Sequence, residues 1–197
     1  MSHDGSRDTG VRAVRPGGLV LAFDLGTQLG EALLDSDGRR AWSLSHPVFG
    51  RQRKGDHPGV RWITASVHFP AAIGRAGPNL QLIAYEDVLR HQVGAFANFR
   101  AAQVYGALLA MLLAAACDAG VPVVGISPSQ VKLRATQSGG AKKDDMIQAA
   151  AWRWECIPAD DNEADALWTA WAGLQGDGHA PGAGHARGGR RRAAPAS

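Results

Sequence analysis

The stretch whose reading decides the fold is Leu19-Val20-Leu21-Ala22-Phe23-Asp24-Leu25-Gly26-Thr27. An apolar run leads straight into a carboxylate, then a glycine and a hydroxyl. A run of this length bounded by glycines is the pattern of a buried central strand. A carboxylate inside such a strand costs free energy to desolvate unless it is paired, starts a turn or meets a cation. The pattern recurs at Leu80-Gln81-Leu82-Ile83-Ala84-Tyr85-Glu86, which also closes on a carboxylate. A third acidic group lies at Asp160-Asp161-Asn162-Glu163-Ala164-Asp165. N-capping explains Asp160 or Asp161, and Asp160 three residues before Glu163 has the spacing of a capping box. Asp165 lies deeper in the helix, where a cap cannot account for it. Asp161, Asn162 and Asp165 share a helix face at spacings of three and four. Oxygens converging on one spot are what magnesium and manganese require. The sequence therefore predicts a metal site wherever Asp24, Glu86 and Asp165 meet.

Working outward, residues 1–18 are polar and glycine-rich and read as a disordered lead. Strands are expected at 19–24, 29–34 and 39–45, forming an antiparallel meander. Residues 46–58 read as a loop holding the basic cluster Arg51-Gln52-Arg53-Lys54. From 60 to 73 the apolar residues Trp62, Ile63, Val67 and Ile73 suggest an imperfect helical face. The segment 95–118 is the longest periodic one, with Phe96, Phe99, Val104, Leu108, Leu109, Leu112 and Leu113 near one face and Gly120 as its stop. Its face suits either the core or a subunit interface. Residues 121–126 form a further strand, and Ser127-Pro128 opens a short helix by capping it. Helices are expected at 142–154 and from 161 to about 174. Residues 176–197 lack large apolar groups and read as a disordered basic tail. The order is α/β: a mixed sheet with helices on its faces. The domain boundaries expected are thus 1–18, 19–175 and 176–197.

At 197 residues the chain suits one domain with a full core. Two cysteines, Cys117 and Cys156, are too few for a disulfide framework and read as buried thiols in a reducing compartment. No uninterrupted apolar run reaches the roughly 18 residues of a membrane span, and the first residues lack the apolar core of a secretory signal. A cytoplasmic protein without a membrane partner is expected. The net charge of +3 resides in 176–197, where Arg187, Arg190, Arg191 and Arg192 outweigh Asp177. Residues 39–75 are also strongly basic. Basic patches beside an acidic pocket suit an enzyme that holds a polyanion while gathering divalent cations. His46, His57, His68 and His91 show no pair with metal-ligand spacing and read as surface or core histidines. Trp152, Trp154, Trp168 and Trp171 are expected to pack on the sheet.

Phe23-Asp24-Leu25-Gly26-Thr27, Tyr85-Glu86 and Asp161-Asn162-Glu163-Ala164-Asp165-Ala166-Leu167 resemble, in order, the three acidic motifs of RuvC-type Holliday junction resolvases. Pro128-Ser129-Gln130-Val131-Lys132, followed by a glycine-rich loop and Ala141-Lys142-Lys143-Asp144-Asp145-Met146, resembles the family segment that carries two lysines near the scissile phosphate. The resemblance covers residues 19–174 and extends to variants carried by phages and mobile elements. It departs at Asn162, where the family has an acid, and at Asp87-Val88-Leu89-Arg90, where the family places an aromatic residue; Phe96 or Phe99 are more distant substitutes.

The resemblance implies an RNase H-like fold, a homodimer acting on four-way DNA junctions, and two Mg2+ or Mn2+ ions roughly 3.5–4 Å apart in each site. It implies Asp24, Glu86 and Asp165 as ligands, with Asn162 or Asp161 completing the set, and Lys143 and Lys132 beside the phosphate. Arg51, Arg53, Lys54, Lys142, Arg190, Arg191 and Arg192 are expected on the DNA backbone. Competing expectations are a nuclease acting on RNA, flaps or forks, and a branched-DNA-binding protein that does not cut. An actin-like kinase shares the Asp-x-Gly-Thr stretch, but it needs a second domain that this chain is too short to hold.

Overall fold

The computed structural model describes residues 13–47, 55, 57, 59–88 and 99–181. Three strands come first, β1 (Leu19–Asp24), β2 (Leu29–Asp35) and β3 (Arg40–His46), then helix α1 (Val60–Ala76) and strand β4 (Leu80–Glu86). They are followed by α2 (Phe99–Asp118), β5 (Val123–Ile126), α3 (Pro128–Thr136), α4 (Lys143–Trp154) and α5 (Asp161–Leu174). The sheet runs β3-β2-β1-β4-β5. β1 to β3 are antiparallel, whereas β4 is parallel to both β1 and β5. This is the mixed five-stranded sheet expected from the sequence.

Alternation along β1 divides the core in two. Leu21 and Phe23 face α1 and α2 with Phe69, Leu108 and Leu112. Val20 and Ala22 face the other way, against Leu167, Trp168 and Met146 of α5 and α4. Helix α5 lies close to the sheet because small residues meet there. A Cβ on Gly30 would fall 1.9 Å from the Asn162 carbonyl oxygen, and one on Gly173 3.0 Å from Ala84 Cβ.

Ser127 caps α3 by accepting from Gln130 N–H, with Pro128 at the first helical position, as expected. Asp160 caps α5 by accepting from Glu163 N–H at 3.0 Å. The expected capping box differs in its second half: the Glu163 carboxylate accepts from Ala159 N–H rather than from the cap's own N–H.

Several expectations are corrected. In α1 the buried face is Ala65, Phe69, Ala72, Ile73 and Ala76, while Ile63 and Val67 are 66% and 65% exposed. Phe69 and small alanines, which carry little weight in an apolar pattern, set the face. Cys117 is exposed and Cys156 half-buried, so neither is a core thiol. Trp152 is 88% exposed, whereas Trp154, Trp168 and Trp171 do pack on the second core. Residues 176–181 are held against β5: His179 and Gly125 exchange backbone hydrogen bonds of 2.9 and 3.0 Å, and Arg134 pairs with Asp177. The packed domain thus reaches past residue 175. At the other end Val14 packs on the core and Arg15 N–H donates to Gln81 Oε1 at 2.8 Å.

Helix α2 buries Tyr105, Leu108, Leu112, Ala115 and Ala116. Its segment Ala101–Asp118 is long and apolar enough to cross a bilayer by length and composition, although one face is committed to the core.

Candidate active site

Parallel pairing builds the site. The β1–β4 register sets Ala22 beside Ala84 and Phe23 beside Tyr85, so Asp24 and Glu86 close their strands at the same end of the sheet. Asp24 continues the face of Val20 and Ala22, and Glu86 that of Leu82 and Ala84. Both therefore lie on the α5 side, where Asp165 sits one turn into the helix.

The carboxylates sense one another. Burial, then the charges of Glu86, Asp165, Asp161 and Asp160, push the Asp24 carboxyl well above its usual range. Burial and Asp165 raise Glu86 to about 7 while Lys132 pulls it back. Burial and Asp161 raise Asp165 to about 6, opposed by Lys132 and Lys143. Lys143, at the start of α4, forms an ion pair with Asp161. The structure thus gathers Asp24, Glu86, Asp165, Asp161, Lys132 and Lys143 at one locus.

Asn162 is engaged differently. Its backbone carbonyl abuts Gly30. Asp160 also accepts from Ser45 Oγ at 2.7 Å and Gln28 Nε2 at 3.2 Å, and these bonds outweigh burial to hold its carboxyl below the usual range. Asp160 is a structural cap tied to β3. Lys142 is exposed at the head of α4, its backbone N–H donating to Asp145 Oδ2 at 2.9 Å. The expected DNA contacts Arg51, Arg53, Lys54, Arg190, Arg191 and Arg192 lie outside the described residues, as do His91, Phe96 and the side chain of Phe99.

Sequence reasoning missed Tyr105. Its hydroxyl donates to the Glu86 carbonyl oxygen at 2.7 Å and fixes the strand end that presents the carboxylate. Leu25, Gly26, Thr27, Val88, Ala101, Val104 and Tyr105 line an apolar depression of about 430 Å³ beside it. Tyr105 was hidden because it falls within a helical pattern dominated by leucine and alanine.

No family model matches the chain. Among curated proteins, the chain is 42% identical over 95 residues to the crossover junction endodeoxyribonuclease RuvC of an Anaeromyxobacter species, covering 48% of this chain and 43% of that protein. It is 43% identical over 56 residues to RuvC of Prochlorococcus marinus, covering 27% of this chain and 36% of that one. The chain spans less than half the length of these relatives in the matched regions. Among solved structures, Thermus thermophilus RuvC superposes with a TM-score of 0.63 at 22% identity, covering 82% of this chain and 98% of that one. The same protein in complex with Holliday junction substrate gives a TM-score of 0.67 at 22% identity and the same coverage. The yeast mitochondrial Holliday junction resolvase Ydc2 gives 0.58 at 15% identity, covering 87% of this chain and 84% of that chain. The chain therefore shares the fold of the solved RuvC structures, a mixed five-stranded sheet flanked by helices, and its matched segments are similar in sequence to the RuvC resolvases.

Proposed function

We propose that this protein is a structure-selective endonuclease that resolves Holliday junctions or closely related branched DNA by metal-dependent phosphodiester hydrolysis. The convergence of Asp24, Glu86 and Asp165 carries this reading. Three acids pressed together with raised carboxyl pKa values form a site that releases its strain by taking up divalent cations. Hard oxygen donors with no imidazole or thiol among them fit Mg2+ or Mn2+. Such ions, when bound, activate water and stabilise the departing oxygen.

The chain's own residues supply the rest. Asp24, Glu86 and Asp165 would hold the ions. Asp161 or Asn162 would complete the set, and Asp161 is favoured because its charge acts on both Asp24 and Asp165. Lys132 and Lys143 offset charge building on the phosphate oxygens. Lys143, paired with Asp161 here, would be available to the phosphate if Asp161 held a cation. Tyr105 holds the Glu86 peptide in place. Lys142 and the arginines at 51, 53 and 190–192, with Lys54, would engage the DNA backbone and supply salt-sensitive affinity. A homodimer would present two such sites to two junction strands of like polarity, with the uncommitted face of α2 as its interface.

Cleavage of four-way junctions, flaps, forks and RNA–DNA hybrids, with and without manganese, tests the reading. Asp24→Asn and Asp165→Asn are expected to abolish junction cleavage while leaving junction binding within about twofold of the parent, a change well under 1 kcal/mol. Preferential cutting of flaps or hybrids would reassign the substrate. Metal-independent cutting would remove the mechanism.

A further inference from the structure

On the face of the sheet opposite the acidic site, β2 carries Glu31 inside the apolar run Leu29–Leu34, fully shielded from solvent. Two histidines from other elements close on it. His46 Nε2, from the last residue of β3, lies 2.7 Å from Glu31 Oε1, and His68 Nε2 of α1 contacts the same oxygen. The ligand atoms of the three residues all fall within 4.8 Å of one another. The second carboxylate oxygen is taken by Arg75 Nη2 at 2.8 Å, and that guanidinium stacks 4.6 Å over Trp42. Glu31 is therefore oriented from behind and offers Oε1 alone to the two imidazoles.

We propose that Glu31, His46 and His68 form a binding site for a divalent transition-metal ion of the zinc class, separate from the acidic site and independent of the nuclease reading. Two imidazole nitrogens and one carboxylate oxygen are a borderline donor set, suited to zinc rather than magnesium. Zinc bonds of about 2.0–2.1 Å in tetrahedral geometry place ligand atoms roughly 3.3 Å apart. The trio reaches that spacing by a small withdrawal of each ring from Oε1. Water would take the fourth position, on the side where His46 is 31% exposed. Arg75 acts as the outer partner that fixes a ligating carboxylate. The three ligands come from β2, the edge strand β3 and α1, so a bound ion would staple the edge strand to the helix.

The test uses the full chain, stripped with chelator and returned to millimolar magnesium, then titrated with zinc and with cobalt(II) as an optical probe. One equivalent of cobalt should give the visible bands of a tetrahedral or five-coordinate site, and zinc should displace it and raise Tm. Asp24→Asn should retain both signals. His46→Asn and His68→Asn should each weaken zinc binding by more than the roughly 10–100-fold typical of outer partners. Should either variant fold poorly, long-range 15N spectra of the parent chain carry the test: the Nε2 resonances of two histidines should shift on zinc addition. Cobalt bands absent from the parent, bands lost in Asp24→Asn but kept in His46→Asn, or unshifted histidine Nε2 resonances would each overturn the assignment.

Discussion

Asp24, Glu86 and Asp165 repel one another as carboxylates, and burial penalises each. Their folded-state carboxyls titrate above the unfolded values, Glu86 near 7 and Asp165 near 6. The native state therefore binds more protons than the unfolded chain between about pH 4 and pH 7. Stability of the metal-free protein should fall as pH rises through this window and stay low above it. Asp24→Asn, which removes one of the repelling charges, should stabilise the metal-free protein at pH 7.5 by on the order of 1–3 kcal/mol. The gain should vanish near pH 4 and also in saturating manganese, as read by urea unfolding. These three acids were legible in the sequence because each stands where an apolar strand or a helix interior gives it no ordinary partner. Glu31 sends the same signal, a charge within Leu29–Leu34, but its partners at 46 and 68 follow no helical or strand period. Only the fold reveals that histidines without ligand spacing share one oxygen.

Contact between α5 and β2 depends on what is missing from Gly30. A methyl group there would meet the Asn162 carbonyl, a backbone atom that cannot rotate away. Gly30→Ala is expected to destabilise the protein by about 1–3 kcal/mol and to shift α5, the helix that bears Asp165. Cleavage should fall more than stability does; equal losses would show that α5 keeps its place. On the other face, Leu112 of α2 is fully buried, and Leu112→Ala should cost about 2–5 kcal/mol in thermal or denaturant unfolding, with the site untouched. Elements bounded by glycine, proline or a capping serine were readable to within a residue or two, as with β4 and α3. The inward face of α1 was not, because burial there falls to Phe69 and alanines while Ile63 and Val67 point to solvent. Tertiary packing decides that choice, and apolar periodicity alone does not weigh it.

At the scale of the molecule, the C-terminal segment begins with residues packed against β5. His179 pairs with β5 and with Asp87 at 2.8 Å, whereas the arginines come later in the sequence. Removing residues 182–197 should lower the salt slope of DNA binding, by about 0.9 for each phosphate no longer neutralised, in anisotropy titrations. Removing 176–197 should lower Tm, because the β5 bridge goes with it. Composition announced the basic end, but not that its first residues extend the sheet, since His179 bonds to Gly125 through backbone atoms that leave no mark in side-chain pattern. Asp24 and Glu86 share one sheet end only because β1 and β4 run the same way, a pairing that the chain reaches after traversing β2, β3 and α1. No hairpin or other local fragment can assemble these acids, and long-range closure is slow compared with local structure. Under the proposed function, a nascent or half-folded copy would be harmless to DNA, because the acids meet only through the strand pairing that commits the whole chain to its native topology.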